Sequence, residues 1–332
     1  MTRTRLLTLA ALGGAAVAAR RRTDPSRPWP DLSGSAMPVT ADDGVVLHAE
    51  VHGPEDAPGT VVLAHGYVLS NRLWDLQVAA LREARPDLRV VTYDQRGHGR
   101  SERTHPDRAT IAQLGHDLRA VLDATSAGPA VVAGHSMGGM TVMAFAEHYP
   151  ELIGSRVVGA GLVATSSGGL DESTWGLPEP VARVVREALP ALNERARRRE
   201  DAGRRPLPPH LLRPVLFGKD APRPHVRRTF EVMAGCSAHT VADFHLTFTD
   251  HDRSEALAAL HEVPVTVLCG TRDRLCPLPH SEAMAAALPH ARFVVYPDAG
   301  HMLQLERAEE VSRHLVELAE VLPQDVPART FA

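Results

Sequence analysis

The chain has 332 residues, of which 44% are hydrophobic and 23% are charged, so it is long and apolar enough to bury a sizeable core. Its formal net charge of −4 gives no global electrostatic reason to expect nucleic acid as a partner. Three scattered cysteines, Cys236, Cys269 and Cys276, do not predict a disulfide framework or a zinc site.

The first 36 residues differ in character from the rest. An apolar run, residues 6–19, follows two arginines and ends at Arg20-Arg21-Arg22, with Ala16-Val17-Ala18 as a candidate cleavage site. The arginines after the run argue against cleavage, and the run is shorter than the roughly 20 residues that span a bilayer. Two interpretations stay open: a segment that anchors the protein to a membrane or exports it, and an uncleaved tail on a cytoplasmic protein. Proline and serine in residues 23–36 predict a linker.

From residue 37 onward, short apolar strands alternate with helices. This alternation predicts an α/β fold with a mostly parallel sheet of eight strands and helices on both faces. The predicted strands are residues 37–40, 45–51, 60–64, 89–93, 130–133, 157–163, 265–269 and 292–296. The predicted helices are residues 73–84, 111–124, 141–148, 281–287 and 308–321.

Residues 165–260 interrupt this alternation, because they contain no convincing strand and are rich in proline and arginine. Short helical patterns occur within them, at residues 181–189 and 227–234. We therefore predict a helical insertion that divides the core into a first part, residues 37–164, and a second part, residues 261–325.

One motif predicts a nucleophile. Gly134-His135-Ser136-Met137-Gly138 matches G-x-S-x-G, in which the serine occupies a strained turn between a strand and a helix. The glycines allow that turn to close, since they lack a Cβ. A predicted strand precedes the motif and a predicted helix follows it, so the context supports Ser136 as a nucleophile.

A histidine and an acid follow late strands. Asp273 comes just after the strand of residues 265–269, and His301 comes just after the strand of residues 292–296. The carboxyl ends of parallel strands share one edge of the sheet, so both side chains are expected to converge on Ser136 there. The order Ser, Asp, His also suits this arrangement. Asp298 is a nearby competitor for the acid, and we expect it to cap the loop instead.

An acyl-transfer enzyme also needs donors for the oxyanion of its transition state. We predict the backbone N–H of Met137, at a helix N-terminus, as one donor. The second donor is the N–H of Tyr67 in the loop His65-Gly66-Tyr67, which follows the strand of residues 60–64. His65 is expected to brace this loop.

These segments, together with Asp94-Gln95-Arg96-Gly97-His98-Gly99-Arg100-Ser101, resemble the α/β-hydrolase-fold superfamily over about residues 37–325. In that family the D-x-R-G-x-G-x-S segment is structural, which implies the same for Asp94 and Arg96. A phosphate-binding loop is rejected, because no Walker lysine follows the glycines. The resemblance implies a mostly parallel, eight-stranded α/β-hydrolase sheet with a helical lid, namely the insertion.

The resemblance is closest to small esterases, monoacylglycerol-type lipases and cofactor-free haloperoxidases. It implies a serine hydrolase that cleaves a small-molecule carboxylic ester through an acyl-enzyme, with no metal and no cofactor. Perhydrolase and carbon–carbon bond hydrolase activities stay open as alternatives. A catalytically inactive binding module is an alternative of another class. Within the lid, Trp175, Phe244 and Phe248 are expected to line an acyl pocket above Ser136.

Overall fold

The computed structural model describes residues 16–17, 29–30, 32, 34–171, 174–204 and 209–324. The apolar run of residues 6–19 therefore lies outside the described residues, apart from Ala16 and Val17. Within the ranges described, no helix has the length and apolar character that a membrane crossing requires.

A single sheet forms the centre of the fold, in the order β1-β9-β8-β7-β6-β4-β5-β3-β2. β2 and β3 are antiparallel to their neighbours, and all other pairs are parallel. The strands are β1 Ala16–Val17, β2 Ser35–Thr40, β3 Val46–His52, β4 Thr60–Ala64, β5 Arg89–Tyr93, β6 Ala130–His135, β7 Val157–Val163, β8 Val265–Gly270 and β9 Arg292–Tyr296.

The eight predicted strands, β2 to β9, are all present, which confirms the mostly parallel eight-stranded sheet. β1 was not predicted: its two residues pair in parallel with Val294 and Val295 of β9 and extend one edge of the sheet. The turn between β2 and β3 follows from Asp42-Asp43-Gly44, because Gly44 adopts a φ of 89°, which favours glycine.

Helices cover both faces of the sheet, because successive side chains of the buried strands point to opposite sides. The core helices are α1 Asp75–Ala84, α2 Ile111–Thr125, α3 Met137–His148, α8 Leu278–Ala287, α9 Leu303–Glu306 and α10 Ala308–Leu318. In β4, Val61 and Leu63 pack on the side of α1 and α10, whereas Val62 and Ala64 pack on the side of α2 and α3.

Among the described residues, four α-helices lie between β7 and β8, where the insertion was predicted. They are α4 Glu179–Asp201, α5 Arg213–Leu216, α6 Arg223–Ala234 and α7 Ala238–His245. The helix predicted at residues 181–189 is too short. α4 has 23 residues in all and continues through Pro190. Proline removes one backbone donor but does not have to end a helix. The side chain of Arg197 in α4 pairs with Asp243 of α7, which holds these two helices together.

Ordered packing begins before the predicted core. The indole Nε1 of Trp29 donates to Oδ2 of Asp75 at 2.8 Å, and the Trp29 ring meets the His225 ring edge to face at 5.7 Å. Burial raises the pKa of Asp75 to about 6. Part of the predicted linker therefore bridges α1 and the insertion.

Candidate active site

Ser136 occupies the sharp turn between β6 and α3. Its backbone has a φ of 54° and a ψ of −119°, a conformation that non-glycine residues rarely adopt. A Cβ on Gly138 would lie 2.1 Å from the carbonyl oxygen of Ala64, so only glycine lets α3 approach β4 this closely. α3 begins at Met137, whereas the sequence predicted a start at residue 141, because the turn and not helix propensity decides where this helix begins.

Asp273 and His301 are in direct contact. Nδ1 of His301 lies 2.8 Å from Oδ2 and 3.0 Å from Oδ1 of Asp273, and both side chains are buried. Oδ1 of Asp273 also accepts the backbone N–H groups of Leu275 and Cys276, each at 2.9 Å. Since a carboxylate only accepts, Nδ1 carries the proton and Nε2 is left free to accept one.

Asp298 has a different role from Asp273. Its Oδ1 accepts from Nε of Arg272 at 3.0 Å, and its backbone has a φ of 61°. Its backbone N–H donates to Oγ1 of Thr271 at 2.9 Å. Asp298 therefore braces the loop between β9 and His301, while Asp273 is the carboxylate that meets the imidazole.

The loop after β4 lies next to the Ser136 turn. His65 is buried: its Nε2 accepts the backbone N–H of Gln95 at 2.9 Å, and its Nδ1 lies 2.7 Å from the carbonyl oxygen of Gly66. Burial lowers the pKa of His65 to about 4, so the ring is neutral and braces the loop. Throughout the described ranges, no acceptor takes the backbone N–H of Tyr67 or of Met137.

The insertion contacts this loop through aromatic side chains. The Tyr67 hydroxyl donates to the carbonyl oxygen of Val241 in α7, and its ring lies 5.0 Å from that of Phe248. Phe244 is fully buried against His98. Of the three predicted pocket residues, Phe248 thus meets Tyr67, whereas Phe244 meets His98 in the segment after β5.

Trp175, the third predicted pocket residue, lies in a turn of the insertion. Its φ is 52°, and the neighbouring Gly176 packs so closely on Arg274 that an added Cβ would lie 2.9 Å from that side chain. The turn that holds Trp175 therefore rests against the side chain of Arg274.

Sequence reasoning missed two residues at this site. His135, the variable residue before Ser136, is fully buried, and its Nε2 lies 2.8 Å from the carbonyl oxygen of His301. Glu306 in α9 is also buried and accepts the backbone N–H groups of Gly300 at 3.0 Å and Gly218 at 2.8 Å. No sequence motif marks either residue. Their hydrogen bonds go to backbone groups of other segments, and the sequence does not show which segments come together.

The sequence is similar to a family model and to proteins of known name. Residues 59–308 match the family model described as the alpha/beta hydrolase fold. A bifunctional esterase/perhydrolase of Acinetobacter calcoaceticus is 30% identical over 286 residues, which cover 84% of this chain and 97% of that protein.

Two solved structures are similar over the same region. A thermophilic esterase of Thermogutta terrifontis superposes with a TM-score of 0.67 at 27% identity, covering 87% of this chain and 100% of the other. An enol-lactonase of Burkholderia xenovorans gives 0.68 at 26% identity, covering 86% and 100%. With the family model matched over most of the sheet and both flanking layers, the chain belongs to the α/β-hydrolase-fold family and is a hydrolase.

Proposed function

We propose that this hydrolase cleaves carboxylic esters through an acyl-enzyme, with Ser136 as nucleophile, His301 as general base and Asp273 as the acid that orients the imidazole. The observation that carries this proposal is the pairing of His301 Nδ1 with Asp273, on the sheet edge where Ser136 occupies its strained turn. Esterases of the same fold among the similar proteins support it.

The proposed reaction has two halves. Oγ of Ser136 attacks the acyl carbon while Nε2 of His301 takes its proton, and the oxyanion is held by the N–H groups of Tyr67 and Met137. The imidazolium, stabilised by Asp273, then gives its proton to the leaving alcohol as the ester bond breaks. Water attacks the acyl-enzyme with His301 as base, which releases the carboxylic acid and restores Ser136.

The proposed substrate is an uncharged ester with a small to medium acyl chain. The support is the apolar character of the contact between the insertion and the segments beside Ser136, where Phe248 packs on Tyr67 and Phe244 packs on His98. Apolar linings with few polar groups favour uncharged ligands. In this proposal the insertion, which includes Trp175, acts as a lid.

A second candidate activity is perhydrolysis, favoured by the relative named as a bifunctional esterase/perhydrolase. Hydrogen peroxide would replace water in deacylation, attack the acyl carbon of the acyl-enzyme and leave as a peracid, with the proton returned to Ser136. The two activities share the first half-reaction. Peracid formation from an ester plus peroxide, measured against carboxylic acid release, tells which nucleophile is preferred.

We also propose that the apolar run of residues 6–19 associates the full-length protein with a membrane, as its basic flanks and apolar character suggest. Fractionation of producing cells tests this directly. We expect part of the full-length protein in the membrane fraction and release of that part when residues 6–19 are deleted. Recovery of all full-length protein in the soluble fraction contradicts the proposal.

The decisive experiment is labelling with a fluorophosphonate probe, read by intact mass. We expect one adduct on the wild type, no adduct on Ser136→Ala, and turnover of p-nitrophenyl esters by the wild type alone. Labelling that persists in Ser136→Ala assigns the nucleophile elsewhere. A wild type that neither labels nor hydrolyses any ester contradicts the proposed esterase activity.

A further inference from the structure

The side chain of His135 lies where three segments of the proposed site meet. It ends β6 directly before Ser136, and no part of it is exposed to solvent. Its Nε2 lies 2.8 Å from the backbone carbonyl oxygen of His301, and the two imidazole rings are 4.9 Å apart. A carbonyl oxygen only accepts, so Nε2 carries the proton and donates.

The other ring nitrogen of His135 faces the oxyanion loop. A Cβ on Gly66 would lie 2.8 Å from Nδ1 and 3.2 Å from Cε1, so the loop backbone rests directly against the ring. Within the described part of the chain, Nδ1 has no hydrogen-bond partner. The ring thus uses one edge to hold the His301 backbone and the other to seat the loop that carries Tyr67.

Burial and the nearby His301 hold the pKa of His135 well below its ordinary value. Burial thus favours the neutral ring, in which Nε2 carries the proton and donates to the carbonyl oxygen of His301. Its contribution is geometric, since it has no exposed atom that could reach a substrate.

We propose that His135 is a positioning residue, whose Nε2–H bond to the carbonyl of His301 and whose contact with Gly66 set the base and the oxyanion loop relative to Ser136. This inference rests on the proposed function, because it concerns the same three catalytic groups. It goes beyond that function by assigning a task to a residue that the G-x-S-x-G pattern leaves free.

Two amide substitutions separate this role from simple space filling. The amide nitrogen of His135→Gln reaches the position of Nε2 and preserves a donor to the His301 carbonyl, whereas that of His135→Asn reaches only the position of Nδ1. We expect His135→Asn to lose about 10²-fold in kcat at nearly unchanged KM, because small misplacement of a catalytic group has effects of that size. His135→Gln is expected to recover most of this loss.

Each kcat is expressed per active site titrated with the fluorophosphonate probe, so that misfolded protein is not counted. His251 supplies the control: it is buried and its Nε2 also lies 2.9 Å from a backbone carbonyl, that of Ser166. His251→Asn should lower the melting temperature yet leave kcat per titrated site unchanged.

A second measurement examines the contact with Gly66. Gly66→Ala alone should lower kcat per titrated site, because its methyl group meets the His135 ring. In a His135→Ala background the same substitution should have a clearly smaller effect, since the ring is gone. Equal kcat in His135→Gln and His135→Asn, together with additive effects of Gly66→Ala and His135→Ala, overturns the proposal. A wild type without probe labelling refutes the proposed function instead, before any variant is compared.

Discussion

Glu306 and Gly218 are joined by a hydrogen bond that ties the insertion to the loop of the catalytic histidine candidate. Oε2 of Glu306 accepts the N–H of Gly218 at 2.8 Å, while Oε1 accepts the N–H of Gly300, next to His301, at 3.0 Å. The carbonyl oxygen of Leu216 accepts the N–H of His301 at 2.9 Å as well. A displacement of residues 216–218 therefore moves the His301 backbone with it.

The first prediction concerns this buried carboxyl group. Burial raises the pKa of Glu306 from 4.5 to about 7. Between these pH values the native state binds more protons than the unfolded state, so the free energy of unfolding falls as pH rises. The stabilising contribution of Glu306 is therefore complete below pH 4.5 and is lost as pH rises through 7. Glu306→Gln should therefore remove roughly 2–3 kcal/mol of pH-dependent change between pH 4.5 and 8. Urea unfolding at both pH values measures it.

Glu309→Gln is the matched control, because Glu309 is exposed at the start of α10. It should leave the pH dependence of unfolding as in the wild type. If Glu306→Gln and Glu309→Gln show the same pH dependence, Glu306 does not titrate in this range.

The second prediction separates the two candidate acids. Asp273→Asn should lower kcat by about 10⁴-fold, because an amide at this position favours the wrong tautomer of His301. Asp298→Asn should have a much smaller effect, since Asp298 contacts Arg272 and Thr271. Steady-state kinetics on one p-nitrophenyl ester compares both variants, with melting temperatures as a check on folding. A greater loss in Asp298→Asn reassigns the acid.

The third prediction addresses acyl-chain preference. Phe248 is partly buried against Tyr67. Phe244 is fully buried, so truncation of Phe244 to alanine would cost about 3–5 kcal/mol of stability. Phe248→Ala is therefore the cleaner variant. We expect it to shift the preferred p-nitrophenyl ester to a longer acyl chain while activity on the acetate ester changes little. Leu246→Ala, at a residue 63% exposed, is the control.

The comparison uses kcat/KM across a series of acyl chain lengths. A uniform change on all esters in Phe248→Ala means that the insertion covers the site without selecting the acyl chain length.

We further expect Arg198→Ala to leave kinetics on soluble esters unchanged, because that side chain is 77% exposed on α4.

The fourth prediction concerns the N-terminal boundary. A chain beginning at Ser35 keeps all strands from β2 onward but loses Trp29, the hydrogen-bond donor to buried Asp75. Its free energy of unfolding should fall by about 1–2 kcal/mol relative to a chain beginning at Pro28, with kcat unchanged in both. Trp29→Phe in the full chain should show a similar loss of stability. Equal stability of the two shortened chains shows that the Trp29 contact contributes nothing measurable.

The sheet could be predicted from the sequence because its signals are local. β4, β5, β7 and β9 have the predicted ends, since short apolar runs bounded by polar or turn residues leave few alternatives. The positions of Ser136, Asp273 and His301 just after strand ends are of the same kind, because parallel strands bring their carboxyl ends to one edge.

Only the tertiary structure could decide the contacts between distant segments. The sequence favoured Asp273 over Asp298 as the partner of His301, and the structure shows the contact itself, which depends on the paths of two loops. The structure also showed that α4 continues through Pro190, although this residue has no backbone N–H to donate. The hydrogen bonds of His135 and Glu306 were likewise not predicted from the sequence. Each hydrogen bond joins a side chain to a backbone group that folding brings close. Every residue has such backbone groups, so the sequence does not show which one will be the partner.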